Sequence, residues 1–393
     1  MSRHPFLLFA VLFSLNDAAW IADIDQLVRD LPRLHLNAFG RVSREQFESS
    51  AASLKTSVPS LSDDEVLAGV MRLVASVGDA HTTVSGYAFT RYPIRLDWFT
   101  DGIFVTQATV EQQDLLGARV TAIDGHAIDD ALSLVAAVIP HENDAWLREL
   151  APDMLVRAEV LHGLGMAANF TFILRDGTTV DRHLVPSTGT LVSLPPADSL
   201  PLYLRDRASF YWYEYLPREE TLYLQYNVCA DQPGRPFSSF LQELNAFAAT
   251  HVIRRFVIDL RHNTGGSSGL LQPLISGLQS NPPEHLYVLI DRTTFSSAMI
   301  NAIDLDTKTK TILVGEETGG KPNAYGEVQS FLLANTRLRI TYSTKFFTLL
   351  PGIDPPSLAP EIRVPLSSRE YFEGRDPVLT FVLPHPRRRV IVH

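Results

Sequence analysis

The sequence predicts a multidomain α/β protein: a small helical N-terminal domain, a β-rich insert, and a C-terminal α/β domain on a parallel sheet. Three observations predict it. The chain has 393 residues, beyond the roughly 250–300 at which one core stops growing, so more than one domain is expected. Apolar residues recur at helical spacing up to about residue 77 and then switch to short alternating runs near Tyr92. After about residue 204, strand-like and helix-like segments alternate, which implies parallel connections.

The N-terminus opens with Met1-Ser-Arg-His and an apolar run over residues 5–15, followed by small Ala18 and Ala19. Such a run has the length of a secretory signal core and is too short for a span of roughly 20 residues. Residues 1–18 are therefore read as a possible signal peptide; export is favoured over a cytoplasmic location, and no integral membrane span is expected.

Residues 19–90 read as the helical domain. Trp20, Ile24, Leu27, Val28 and Leu31 share a face, and Pro32 is expected to end that helix. Ser43 with Gln46 and Ser62 with Glu65 have the spacing of capping boxes, each opening a further helix. Residues 91–187 read as the insert. Asp101-Gly102, Asp124-Gly125 and Asp176-Gly177 mark turns between short strands. The stretch Gly117-Ala-Arg-Val-Thr-Ala-Ile-Asp-Gly125, with the helix-period run after it, resembles a PDZ-type module, which implies capture of an extended peptide by strand addition. A plain structural insert is the alternative. Residues 188–204, rich in Thr, Ser and Pro, read as a linker.

Residues 205–393 read as the catalytic α/β domain, with strands at 221–227, 256–260, 286–290 and 311–314 and helices at 238–249, 268–279 and 297–303. Ligands in such sheets sit outside the carboxyl ends of strands. Three polar stretches follow strand ends there: Arg261–Gly266, Arg292–Ser297 and Glu316–Lys321. Acyl transfer needs a nucleophile, a base and donors for the developing oxyanion. Ser296, Lys321 and the Gly265-Gly266 backbone with the amide of Ser297 can fill those roles. Taken singly, Ser296 reads as a helix N-cap, Lys321 as a solvated lysine and the glycine pair as a turn.

Together these stretches resemble the C-terminal processing peptidases, or tail-specific proteases, and the related tricorn core peptidases. The family's Asp-Leu-Arg-x-Asn-x-Gly-Gly motif is matched by Asp259–Gly266, its Ser-rich helix start by Ser296-Ser297-Ala298, and its Gly-Glu-x-Thr-x-Gly-Lys motif by Gly315–Lys321. Lys321 follows Ser296 by 25 positions, the spacing of the family's base lysine. Gly78-Asp79-Ala80-His81-Thr82 is similar to its Asp-x-His-Thr stretch, and Pro360-Glu361-Ile362 with Asp376-Pro377 to its C-terminal end. The resemblance implies a ClpP/crotonase-like catalytic domain and a serine endopeptidase with a Ser296–Lys321 dyad, acting on peptides or protein C-terminal tails. Two positions depart from the pattern: Met299 replaces an acid, and Pro322 replaces a glycine. The tricorn branch implies His81 as base instead, although Ala80 stands where that branch has a serine. Two other functions share the architecture: a non-catalytic hydrophobic-ligand or peptide-binding protein, and a crotonase-type acyl-thioester enzyme without a serine nucleophile.

The net charge of −10 argues against a nucleic-acid binder, which needs a basic face. Cys229 is the single cysteine, so no internal disulfide and no cysteine zinc site is possible. The histidines show no ligand spacing, and neither metal nor cofactor is expected. Oligomeric state is not legible.

Overall fold

The computed structural model describes residues 16–195 and 199–384. Most of the signal-like stretch, the middle of the linker and the arginine-rich end lie outside the described residues. Asn16 caps the first helix, Asp17–Leu34, by accepting from the Ala19 amide, so position 18 falls inside its first turn. Pro32 lies within this helix rather than ending it. Both capping boxes are present, at the starts of helices Arg44–Ser57 and Asp63–Ala75. No helix among the described residues is long and apolar enough to cross a membrane.

The insert is an antiparallel sheet of strands Ile94–Phe99, Gly102–Thr109, Arg119–Ile123, Asn169–Ile173 and Thr179–His183 in that spatial order. Its turns fall at the three Asp-Gly pairs; Asp124 and Gly125 both have positive φ, 51° and 77°, as a tight hairpin requires. Helix Ile128–Ala136 is joined by two helices that the alternation did not reveal, Asp144–Met154 and Ala158–Gly163. The stretch read as a linker is partly ordered, because Leu191–Ser193 pairs with Gln107–Thr109 of the insert.

The C-terminal sheet contains Tyr211–Leu216, Thr221–Tyr226, Arg255–Asp259, His285–Ile290, Thr311–Gly315 and Ile362–Arg363. All neighbours are parallel except Tyr211–Leu216, which is antiparallel at the edge. Every residue of Thr221–Tyr226 is buried, as expected for a strand covered on both faces. Helices Phe237–Ala248, Gln272–Ser280 and Ser297–Lys308 cover one face with Phe240, Leu274 and Ala302 among the buried residues. Val378, Leu379 and Val382 of the last helix cover the other.

One part of the chain crosses between units. The hairpin Asn323–Leu332 and Arg339–Thr348 is not in the parallel sheet, and its Leu333, Leu338 and Ile340 join the core of the N-terminal helices. Val84 and Ser85, just after His81, pair with Ile340 and Arg339 of this hairpin. This crossing is what brings residues near position 80 to the sheet's carboxyl end.

Candidate active site

Ser296 ends the turn between strand His285–Ile290 and helix Ser297–Lys308. Its backbone lies at φ 50° and ψ −124°, a conformation that costs about 1–3 kcal/mol in a side-chain-bearing residue and concentrates at functional sites. Ser296 occupies the N-cap position, its carbonyl accepting from the Ile300 amide, but its side chain makes no capping bond. Ser296 Oγ instead lies 3.1 Å from His81 Nε2.

The sequence places His81 on a dense polar support. The Asp79 carboxylate accepts from His35 Nε2 at 3.0 Å, Thr82 Oγ1 at 2.6 Å and Ser343 Oγ at 2.7 Å, and from the His81 backbone amide at 2.9 Å. His35 Nδ1 accepts from the Asn37 amide, which leaves the proton on Nε2, facing Asp79. Burial opposes the charge on Asp79, but the donors led by His35 outweigh it and hold the carboxyl far below its usual range. The His81 ring rests on Phe295, with centroids 4.6 Å apart, and Phe295 stacks on Trp146 at 4.1 Å. Ala80, Trp146 and Phe295 form one small buried cluster, joining the helical unit, the insert and the turn before Ser296.

The glycine pair stands against the serine. Gly265 (φ 110°) has no room for a side chain, since a Cβ there would lie 2.8 Å from Ser296 Cβ. Its amide is taken by Asn263 Oδ1 at 2.9 Å, while the Asn263 side-chain amide donates to the Tyr226 carbonyl at 2.7 Å. Neither the Gly266 nor the Ser297 amide donates to a backbone carbonyl among the described residues. Ser297 Oγ donates to the Gly266 carbonyl at 2.7 Å, which fastens the two segments together. The amide of Ser297 opens a twelve-residue helix, whose N-terminus carries a partial positive charge.

Lys321 lines the same cleft, but its ammonium donates to Asp354 at 2.8 Å. Of the expected site residues, the structure therefore brings together Ser296, His81, Gly265, Gly266 and Ser297. Lys321 makes no hydrogen bond to Ser296 among the described residues; its ammonium is bonded to Asp354. The remaining motif residues build the frame. Arg261 is buried and donates to Asp259 and to Asp376 at 3.0 and 2.8 Å, with its guanidinium 4.2 Å from the Tyr203 ring centroid. Thr318 Oγ1 donates to the Gly320 carbonyl and accepts from the Leu358 amide.

Met299, Ile300, Val328, Phe347 and Leu349 give the cleft an apolar lining beside Ser296. Strand Asn323–Leu332, an edge of its three-stranded sheet, forms one wall. The insert's edge strand Ile94–Phe99 is not open in the same way: Arg292 donates to the Trp98 carbonyl, and helix Asp144–Met154 packs on that strand. A ligating atom each of Asp79, His81 and Glu142 lie within 4.8 Å of one another, but His81 faces Ser296 and Asp79 already takes four donors, a poor arrangement for holding a metal.

No protein-family model and no curated protein sequence matches the chain. Its fold is shared by the solved structures of CPAF. Mature CPAF shares it, at 15% identity and a TM-score of 0.63, over 91% of this chain and 95% of that one. The structure of mature CPAF complexed with lactacystin matches similarly, at 14% identity and 0.62, over 91% and 96%. The photosystem II D1 C-terminal processing protease is more distant, at 12% identity and 0.42, over 92% and 98%.

Two residues beside the site were missed. Asp354 and Glu142 lie on loops with no local pattern, although Asn143 as the N-cap of a helix could have marked the loop holding Glu142.

Proposed function

We infer that the protein is a serine peptidase in which Ser296 is the nucleophile and His81 the base, acting on peptides or protein tails. The 3.1 Å contact between Ser296 Oγ and His81 Nε2 carries the reading. His81 takes the serine proton as Oγ attacks the scissile carbonyl, then returns it to the leaving amine. The acyl-enzyme is released by water activated at the same nitrogen. The developing oxyanion is received by the amides of Gly266 and Ser297, with Gly265 shaping the turn that presents them. The strained turn at Ser296 serves the same end, exposing Oγ to the cleft at the head of a helix.

An extended substrate pairing with the edge strand Asn323–Leu332 would run past Ser296, and the apolar lining favours a nonpolar side chain there. In this reading Lys321 shapes the cleft's charge and is not the base. Export, suggested by the apolar run at residues 5–15, is compatible with a free peptidase of this kind.

The test is covalent labelling with a fluorophosphonate probe, followed by turnover of an unstructured protein substrate. Ser296→Ala should abolish both, and His81→Ala should reduce turnover by on the order of a thousandfold or more. A folded His81→Ala variant with wild-type turnover, alongside an inactive Lys321→Ala, would return the base to Lys321.

A further inference from the structure

Beside the Ser296–His81 pair, three buried polar atoms lack partners, Trp146 Nε1 and two at the base. Of these two, one is Nδ1 of His81, the ring nitrogen turned away from Ser296; the other is Oε2 of Glu142. Their groups share the cluster in which ligating atoms of Asp79, His81 and Glu142 lie within 4.8 Å of one another. Buried polar atoms are nearly always paired, so two orphans on groups of one cluster point to a contact completed by one bridging water or a small side-chain rotation.

We propose that Glu142 is the positioning residue of the base: its carboxylate accepts the Nδ1 proton of His81, directly or through one water, and thereby keeps Nε2 an acceptor for the Ser296 hydroxyl. The proposal rests on the reading of Ser296 and His81 given above. Asp79 is the competing partner, but its Oδ1 is 3.7 Å from Nδ1, outside hydrogen-bond range. That oxygen receives the His81 backbone amide, and Oδ2 receives His35, Thr82 and Ser343. Glu142 is held in place from both sides. Its carbonyl accepts from Arg41, and neighbouring Asn143 donates to the Gly319 and Pro356 carbonyls at 3.0 and 2.7 Å.

The protonation state of Glu142 then decides which nitrogen of neutral His81 carries hydrogen. As an anion, Glu142 takes a proton-bearing Nδ1 and leaves Nε2 free. As a neutral acid it donates to Nδ1, and the ring proton moves to Nε2, where it blocks acceptance from Ser296. Burial first, and the Asp79 charge second, push the Glu142 carboxyl up to about 8, against the pull of Lys321, Arg41 and the Ala80 amide. His81 also lies against it, and Asp144, Arg148, Arg292, Glu316 and Glu317 line a cavity with it. Activity should therefore rise toward alkaline pH although the base is a histidine.

The deciding experiment is nitrogen NMR of the His81 ring in the full chain, which needs no substrate. The wild type should pass from the Nε2–H to the Nδ1–H tautomer between about pH 7 and about pH 9, a range above ordinary histidine titration. In Glu142→Gln this pH-dependent change should vanish. Turnover of the variant at about pH 9 should fall at least about tenfold in kcat with KM within about twofold, and its alkaline rise should disappear; Glu142→Asp should recover part of both. A wild-type tautomer that does not change with pH, or a change that persists in Glu142→Gln, overturns the proposal. So does a Glu142→Gln enzyme with the wild-type pH profile and Ser296-dependent turnover. If the wild type shows no Ser296-dependent turnover, the peptidase reading fails instead, and the ring NMR still decides the role of Glu142.

Discussion

His81 Nε2 and Ser296 Oγ stand 3.1 Å apart although 215 positions separate them in the chain. Apart from the Phe295 ring under His81, what holds them together comes from elsewhere in the chain. His81 is positioned through its carbonyl, which accepts from Thr341 Oγ1 at 2.7 Å, and through Asp79, which accepts from Ser343. Both threonine and serine belong to the hairpin that leaves the C-terminal unit to pack on the N-terminal helices. His81 is thus set against Ser296 by a strand that belongs, by sequence, to the half of the chain that carries Ser296.

Lys321 provides the contrast. If it is a charge neighbour and not the base, Lys321→Met should retain turnover at high pH. Because its ammonium lowers the Glu142 pKa, its removal should move the alkaline rise of activity further upward. A pH–rate profile of the variant checks this, and loss of turnover at every pH in a folded protein would count against it.

Gly265→Ala should damage the site more than the fold. The new Cβ would press on Ser296 Cβ and, at 2.9 Å, on the Ser297 amide, and φ of 110° is foreign to alanine. Displacing the oxyanion donors should cost on the order of a hundredfold in kcat. Burst kinetics would separate slowed acylation from weakened binding.

The parallel sheet was legible because each strand ends in a polar loop and each helix carries a periodic apolar face; Phe240 and Leu244 are buried as their spacing implies. The turn at Ser296 and the glycine pair it meets were legible because adjacent residues carry them. The partner of Lys321 was not, because a 25-residue spacing to Ser296 says nothing about Asp354, which accepts from that ammonium. The helices at Asp144–Met154 and Ala158–Gly163 were obscured by Pro152 inside the first and by the shortness of the second. The Pro32 stop failed by only two residues, since the helix runs on to Leu34 before His35 turns extended.

Arg261→Met tests the frame beneath the loops. The guanidinium joins Asp259 and Asp376, all three side chains being almost wholly buried. Removing it strands two carboxylates, which should cost about 3–5 kcal/mol. Chemical denaturation should show the loss, and the double variant with Asp376→Asn should recover part of it.

Glu142 carries a stability signature independent of catalysis. Its folded pKa of about 8 lies above the unfolded value of about 4.3. Between the two, the folded chain keeps a proton that the unfolded chain has released, so this residue's contribution becomes less favourable as pH rises through that window. The sign is opposite for Asp79, whose depressed pKa contributes stability above the unfolded value and loses it only in acid. Glu142→Gln cannot titrate and leaves Asp79 in place, so comparing the variant with the wild type isolates Glu142. The Tm of the variant minus that of the wild type should grow steadily between about pH 5 and about pH 8 and level off above. A difference that stays flat across that window, measured by calorimetry, would mean that the folded state does not suppress the Glu142 charge.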